Sequence, residues 1–161
     1  LIGAHINMDY SIPDALFRTK KYRTQELTLH KKALEVLASI GLGEYVHEYA
    51  ENLPYGLQRR LEIARAIMSG AKILLLDEPA AGMNPQESED LMGFIRSLRD
   101  KGYTILLIEH DMNVVMNVSD RIYVVDYGKL IAKGKPEQIK NDPGVIRAYL
   151  GDVSEIMGEG A

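Results

Sequence analysis

The chain has no cysteine among its 161 residues. Disulfides, thiolate metal sites and cysteine nucleophiles are excluded together, and the absence suits a reducing compartment. Long apolar runs are missing too. No stretch free of Asp, Glu, Lys and Arg exceeds eight residues, against the roughly 20 that a membrane-spanning helix needs. Leu1-Ile2-Gly3-Ala4 offers no basic region followed by an apolar one, so no secretion signal is expected. An excess of positive charge is also lacking. The net charge of −4 and pI near 5.6 argue against a broad nucleic-acid surface, and no nucleic-acid partner is expected. Internal repeats and low-complexity segments are absent. What is present is ordinary: 46% hydrophobic and 26% charged residues, the balance of a globular domain.

The texture changes near Gly70. Before it, apolar residues recur at helical spacing. Leu27 to Ile40 reads as a helix broken by Gly41 and Gly43, Glu44 to Glu51 as a second, short one, and Gly56 to Gly70 as a third. The first twenty-odd residues read as a loop and a helix fragment. Their basic run Arg18 to Arg23 is most simply a solvated face, which would contact anionic lipid headgroups if the helical region faced a membrane. After Gly70 strands and helices alternate. Ile73-Leu74-Leu75-Leu76 and Thr104 to Ile108 are continuous apolar runs, as expected of parallel strands buried on both faces. Between them Asn84, Pro85 and Glu87 open a helix as cap, first residue and capping-box partner. Its inner face is Leu91, Phe94, Ile95 and Leu98, and Gly102 closes it. Asp111 should cap a short helix to Val118. Arg121–Asp126 and Lys129–Lys133 read as a hairpin around Tyr127-Gly128. Pro136 and Pro143 mark two further helix starts, with Gly151 ending the second and a polar tail following.

Strand, helix, strand in this order predicts a parallel pair whose carboxyl ends share one sheet edge. Ligands of open α/β sheets bind at such an edge. Asp77 and Glu78 emerge there after the first strand, and His110 after the second. Adjacent acids at a strand end suit a hydrated cation and an activated water: the first can hold the metal's shell, and the second can accept a proton. A histidine at the next strand end can donate to a phosphate oxygen. Taken alone, the pair could as well open a turn before Pro79, and His110 could merely flank a helix. His5, His30 and His47 show no metal-ligand spacing, and the seven methionines read as core filling.

The neighbouring residues tip the balance. Ile73-Leu74-Leu75-Leu76-Asp77-Glu78-Pro79 resembles the Walker B strand of ATP-binding cassette (ABC) ATPases. Ala80-Ala81-Gly82-Met83-Asn84-Pro85 resembles their D-loop, and Ile108-Glu109-His110-Asp111 their switch-histidine segment. Leu53-Pro54-Tyr55-Gly56-Leu57-Gln58-Arg59-Arg60-Leu61-Glu62-Ile63-Ala64-Arg65-Ala66 resembles the signature motif and its helix. The four in this order cover the chain from about Leu27 to Leu150. The resemblance is closest to the ATP-binding subunits of branched-chain amino-acid importers, in Pro-Tyr-Gly, in Ala-Ala-Gly and in the ending from Gly134 to Gly151. Two departures from the commonest signature stand out: Pro54 replaces a serine and Leu57 a glutamine.

The resemblance implies a P-loop NTPase fold of α/β class. Residues 1–70 would form a helical subdomain ending in the signature helix, 71–151 the C-terminal part of the catalytic core with its mainly parallel RecA-like sheet, and 152–161 a flexible tail. It implies ATP and Mg²⁺ as cofactors, with Glu78 as catalytic base, His110 as γ-phosphate contact and Asp77 as metal ligand. Leu53, Pro54, Tyr55, Gly56, Leu57 and Gln58 would face ATP held by a second ABC ATPase subunit in a head-to-tail dimer, with Ala81, Gly82 and Asn84 contributing from the D-loop. Further implied partners are transmembrane permease subunits and, indirectly, a substrate-binding protein, at the cytoplasmic face of the inner membrane. Lipopolysaccharide export by a related ATPase and a catalytically silent interaction fragment are the competing readings.

ATP binding in this fold also needs a Gly-x-x-x-x-Gly-Lys-[Ser/Thr] loop, whose backbone cradles the phosphates. Neither Gly128-Lys129 nor Gly134-Lys135 completes one. The family's phosphate and glutamine loops lie N-terminal to the helical region. The expectation is therefore a C-terminal part of a longer ATPase, inactive alone, lacking the strand that would lie between Tyr103–Glu109 and Ile122–Val125.

Overall fold

A computed structural model describes residues 2–150, with the side chains of residues 6, 7 and 150 left aside. The expected end at Gly151 and the tail 152–161 lie outside the described residues. The chain forms two compact units, one ending at Ile108 and one beginning at Glu109.

The first unit begins with a 3-10 helix, Ile2–Asn7, followed by α1 (Ile12–Leu16) and α2 (Lys20–Ser39). α2 starts seven residues before the periodicity of apolar residues announced it at Leu27. The cause is a cap: Arg18 turns the chain through a left-handed conformation (φ 47°), and the Thr19 hydroxyl accepts from the Tyr22 N–H. The stretch expected as a second helix is instead two single 3-10 turns, Gly43–Tyr45 and Ala50–Asn52. A run this short, caught between glycines and Pro54, does not sustain the i→i−4 ladder.

α3 (Tyr55–Met68) is the hub of this unit, packing on the first 3-10 helix, on α2 and on α4 (Pro85–Asp100). Ala4 is buried, and a side chain at Gly3 would run into the Arg65 carbonyl of α3. The change of texture at Gly70 thus falls inside the first unit, because α3 before it packs on α4 after it. The predicted inner face of α4 (Leu91, Phe94, Ile95 and Leu98) is buried throughout. The capping box of Asn84 and Glu87 forms in both directions, at 3.0 and 3.1 Å.

β1 (Ile73–Asp77) and β2 (Thr104–Ile108) pair in parallel, with Ile73 opposite Thr104 and Asp77 opposite Ile108. The expectation of burial on both faces is not met. Leu74 is 2% exposed, but Leu75 beside it is 73% exposed, and Ile73, Leu106 and Ile108 are exposed as well. Side chains alternate across a strand, and among the described residues only one face of the pair is covered. The other face carries aliphatic side chains into solvent.

The second unit comprises α5 (Met112–Val118), β3 (Ile122–Asp126), β4 (Lys129–Gly134), α6 (Pro136–Lys140) and α7 (Pro143–Leu150). Asp111 caps α5 as read from the sequence, accepting from the N–H groups of Asn113 and Val114. β3 and β4 form the expected antiparallel hairpin. Tyr127 and Gly128 at its tip are both left-handed (φ 43° and 75°), the requirement of a tight turn matched to strand twist. Ile122, Val124, Ile139 and Val145 make its core.

Candidate functional site

The residues singled out from the sequence fall into two groups within the first unit and one residue in the second. The first group lies at the carboxyl end of β1. Asp77 is the last strand residue and is exposed. Glu78 follows in a left-handed conformation, φ 41°, and its N–H donates to the Ile108 carbonyl at 2.9 Å. This bond extends the ladder one residue past the strand, so Glu78 is held against β2 while its backbone leaves the strand path. Left-handed φ costs a residue with a Cβ about 1–2 kcal/mol. Such strain at a solvent-facing carboxylate marks a residue whose position the fold over-determines.

The loop behind it is tightly wound. The Ala81 N–H donates to the Glu78 carbonyl at 3.1 Å and the Met83 N–H to the Ala80 carbonyl at 3.1 Å. Gly82 supplies the next left-handed residue (φ 77°), with open space where a Cβ would stand. Asn84 then caps α4. Asp77, Glu78, Ala81, Gly82 and Asn84 are therefore one continuous, hydrogen-bonded turn between a strand end and a helix start. Asn84 has a structural duty that the sequence already announced: its side-chain oxygen accepts from the Glu87 N–H.

The second group is the start of α3. Leu53 is buried and anchors the entry, and Gln58 donates from Nε2 to the Leu53 carbonyl at 2.8 Å. Pro54 occupies the cap position and brings no side-chain acceptor. The N–H groups of Leu57 and Gln58 both turn back to the Pro54 carbonyl. Gly56 has nothing within 4 Å of where a Cβ would be, so a ligand can approach the backbone closely there. Tyr55 is pinned by a residue that sequence reasoning did not single out. Arg59 lies over its ring, 5.2 Å from the centroid, and donates to its hydroxyl at 2.8 Å and to Glu62 at 2.7 Å. The Glu62 carboxylate, chiefly, and the Tyr55 hydroxyl raise the Arg59 pKa above its ordinary value. The i, i+4 and i, i+3 spacing of Tyr55, Arg59 and Glu62 was the available signal. Arg60 ties the same helix to α4, donating to the Asp90 carbonyl at 3.0 Å and stacking on Phe94.

His110 belongs to the second unit, two residues beyond the end of β2. Among the described residues no three His, Asp or Glu side chains converge as a ready-made metal cage. A lone strand-end carboxylate nonetheless fits Mg²⁺, which keeps several waters and takes one or two protein carboxylates plus phosphate oxygens. Asp77 is such a donor.

A parallel strand pair ending in Asp-Glu, a wound turn into a capped helix, and a glycine-bearing helix start are the parts of an ATP-binding cassette, and the comparisons agree. The chain is similar to the ATP-binding cassettes of ABC transporters: the ABC transporter family model matches residues 4–81. The model described as branched-chain amino acid ATP-binding cassette transporter matches residues 129–154. The high-affinity branched-chain amino acid transport ATP-binding protein LivG of Escherichia coli K12 is 48% identical over 153 residues, which is 94% of this chain and 60% of LivG. The lipopolysaccharide export system ATP-binding protein LptB of Haemophilus influenzae is 38% identical over 76% of this chain and 51% of its own length. Among solved structures, the ADP conformation of an ATP-binding cassette of an ABC transporter superposes with a TM-score of 0.75 at 31% identity, covering 94% of this chain and 61% of that one. The likeness therefore reaches well into the first twenty-six residues, where sequence motifs carried no resemblance. The chain spans 60% of the length of LivG.

Proposed function

We propose that these residues serve the ATP-hydrolysing, energy-coupling subunit of an importer for branched-chain amino acids. The observation that carries the reading is Glu78: a carboxylate fixed in strained backbone at the end of β1, directly after Asp77. In this reading Glu78 accepts the proton of the attacking water, and Asp77 holds Mg²⁺ through its coordination shell. The metal, when bound, would neutralise charge developing on the transferred phosphoryl group. His110 donates to the γ-phosphate. The start of α3, with Gly56 open and no side-chain cap, presents backbone N–H groups to the phosphates held by a second ATPase subunit. Ala81, Gly82 and Asn84 line the same dimer contact. The phosphate-binding loop would come from sequence outside these 161 residues, so the chain alone should show negligible ATP turnover. Permease subunits and, through them, a substrate-binding protein complete the assembly at the cytoplasmic membrane face.

The test is made in a cassette that carries a phosphate-binding loop ahead of these residues. Glu78→Gln should leave ATP binding intact and slow hydrolysis by about 10²–10⁴-fold, the usual worth of a positioned general base. Unchanged turnover would remove Glu78 from the role. The likeness to LptB supports a second reading, lipopolysaccharide export. The greater identity to LivG and the match over residues 129–154 favour amino-acid import. Copurification with a lipopolysaccharide-exporting permease would reverse that preference.

A further inference from the structure

The corner between α1 and α2 is built rigidly and then left without a partner for its apolar side chains. Its base is fastened by several bonds. Ser11 and Asp14 form a reciprocal cap, the Thr19 hydroxyl donates to Asp14 at 2.9 Å, and the Tyr10 hydroxyl donates to Glu26 at 2.8 Å. The rings of Tyr10 and Tyr22 meet edge to face at 5.0 Å, and Lys21 pairs with Asp9 at 3.3 Å. On this base Ile12, Leu16 and Phe17 are 86%, 76% and 77% exposed. The chain then turns at Arg18, whose left-handed backbone (φ 47°) carries it directly into α2.

The corner is basic within an acidic chain. The whole chain carries −4, yet residues 12–23 hold Arg18, Lys20, Lys21 and Arg23 against Asp14 alone. Asp14 is occupied by Ser11 and Thr19, and Lys21 by Asp9. Among the described residues no carboxylate pairs with Arg18, Lys20 or Arg23. Three large exposed apolar side chains, followed closely in the chain by cations with no carboxylate partner, match an anionic lipid surface: aliphatic and aromatic groups enter the acyl boundary while guanidinium and ammonium groups meet headgroup phosphates.

We propose that the Ile12–Arg23 corner docks on an anionic lipid bilayer, with Ile12, Leu16 and Phe17 inserted and Arg18, Lys20 and Arg23 on the headgroups. The contact requires no nucleotide, so its failure and the failure of the ATPase reading are separable. The chain has no tryptophan, so Phe17→Trp supplies a single indole reporter in the full 161-residue chain. Vesicles of phosphatidylcholine with phosphatidylglycerol should shift its emission to the blue and carry the protein in flotation. Vesicles of phosphatidylcholine alone should do so far less, and added salt should weaken the binding. In the original chain, Leu16→Ser should reduce partitioning about tenfold, and Lys20→Gln about fivefold. All these side chains are exposed, so the circular dichroism spectrum should not change. Leu75→Ser, on the open face of the β1–β2 pair, separates docking from general stickiness and should leave partitioning unchanged. Three results would overturn the proposal: equal binding to neutral and anionic vesicles, loss of binding in Leu75→Ser but not in Leu16→Ser, or no partitioning at all. The last would leave a protein segment as the occupant of the corner.

Discussion

Glu78 permits a test in which backbone and side chain are separated. Its φ of 41° places it where a Cβ is crowded by the backbone, at a cost of about 1–2 kcal/mol that glycine escapes. Glycine carries an opposing penalty of about 0.4–1 kcal/mol, because its unfolded chain is freer. At an ordinary position only the second term operates, and alanine is the more stabilising residue. At position 78 the two terms oppose. Glu78→Gly should therefore be more stable than Glu78→Ala by about 0.5–1 kcal/mol. Both variants lose the same carboxylate and every contact it makes, so the difference between them reports the backbone alone.

Urea denaturation of the two variants measures that difference, with an unchanged m-value showing that neither folded nor unfolded compactness has moved. In thermal unfolding the gap should be about 1–4 °C for a chain of this size. In a cassette with a phosphate-binding loop, both variants should be equally deficient in hydrolysis. Stability then distinguishes the variants where activity does not, as expected if strain is held at a carboxylate for the sake of its position. An alanine variant as stable as the glycine variant, or more so, would refute the reasoning.

Asn84→Ala should destabilise by about 1 kcal/mol through loss of the α4 cap, while Asn84→Asp should keep most of it; chemical denaturation reads both. Gly3→Ala should cost about 1–3 kcal/mol, because its Cβ would meet the Arg65 carbonyl of α3, a backbone atom that cannot swing aside; a thermal melt of the variant checks it. Asp14 is held below the ordinary aspartate range, chiefly by the Ser11 hydroxyl, then by the Ser11 N–H and the Thr19 hydroxyl. Its contribution is therefore complete above the ordinary aspartate value and is lost as pH falls through its lower folded value. The stability advantage of the original chain over Asp14→Asn should be constant near neutrality and shrink below about pH 4, as read by denaturation across that range.

What was legible in the sequence was local. Asn84, Pro85 and Glu87 announced a helix start because a capping box is made by residues three apart, and the box is present in the structure. Asp111 and the Tyr127-Gly128 turn were readable for the same reason. The start of α2 was not. Lys20 to Glu26 offers little apolar periodicity, and the segment is secured by Thr19 and by the Tyr10–Glu26 bond across sixteen residues. The two 3-10 turns between α2 and α3 carry the apolar spacing of a short helix, and over so few residues that spacing does not distinguish one from the other. The role of Arg59 is hidden for a related reason: an arginine on a helix reads as surface charge, and only its ring and carboxylate partners in the fold give it a positioning role.

The β1–β2 pair shows where local legibility ends. Ile73-Leu74-Leu75-Leu76 and Thr104 to Ile108 have the composition of strands covered on both faces, yet half of their aliphatic side chains stand in solvent. Alternation puts Ile73, Leu75 and Asp77 on the same, open side of β1. The carboxylate best suited to a hydrated cation is therefore set at the rim of an uncovered apolar face, with Ile108 as its register partner. Covering that face would exclude water beside Asp77, and electrostatic interactions strengthen where water is excluded. Residue types at 77 and 78 thus define what chemistry is possible. The surroundings that would make it efficient depend on whatever packs against Leu75 and Leu106, a long-range property that the chemistry-bearing residues do not encode.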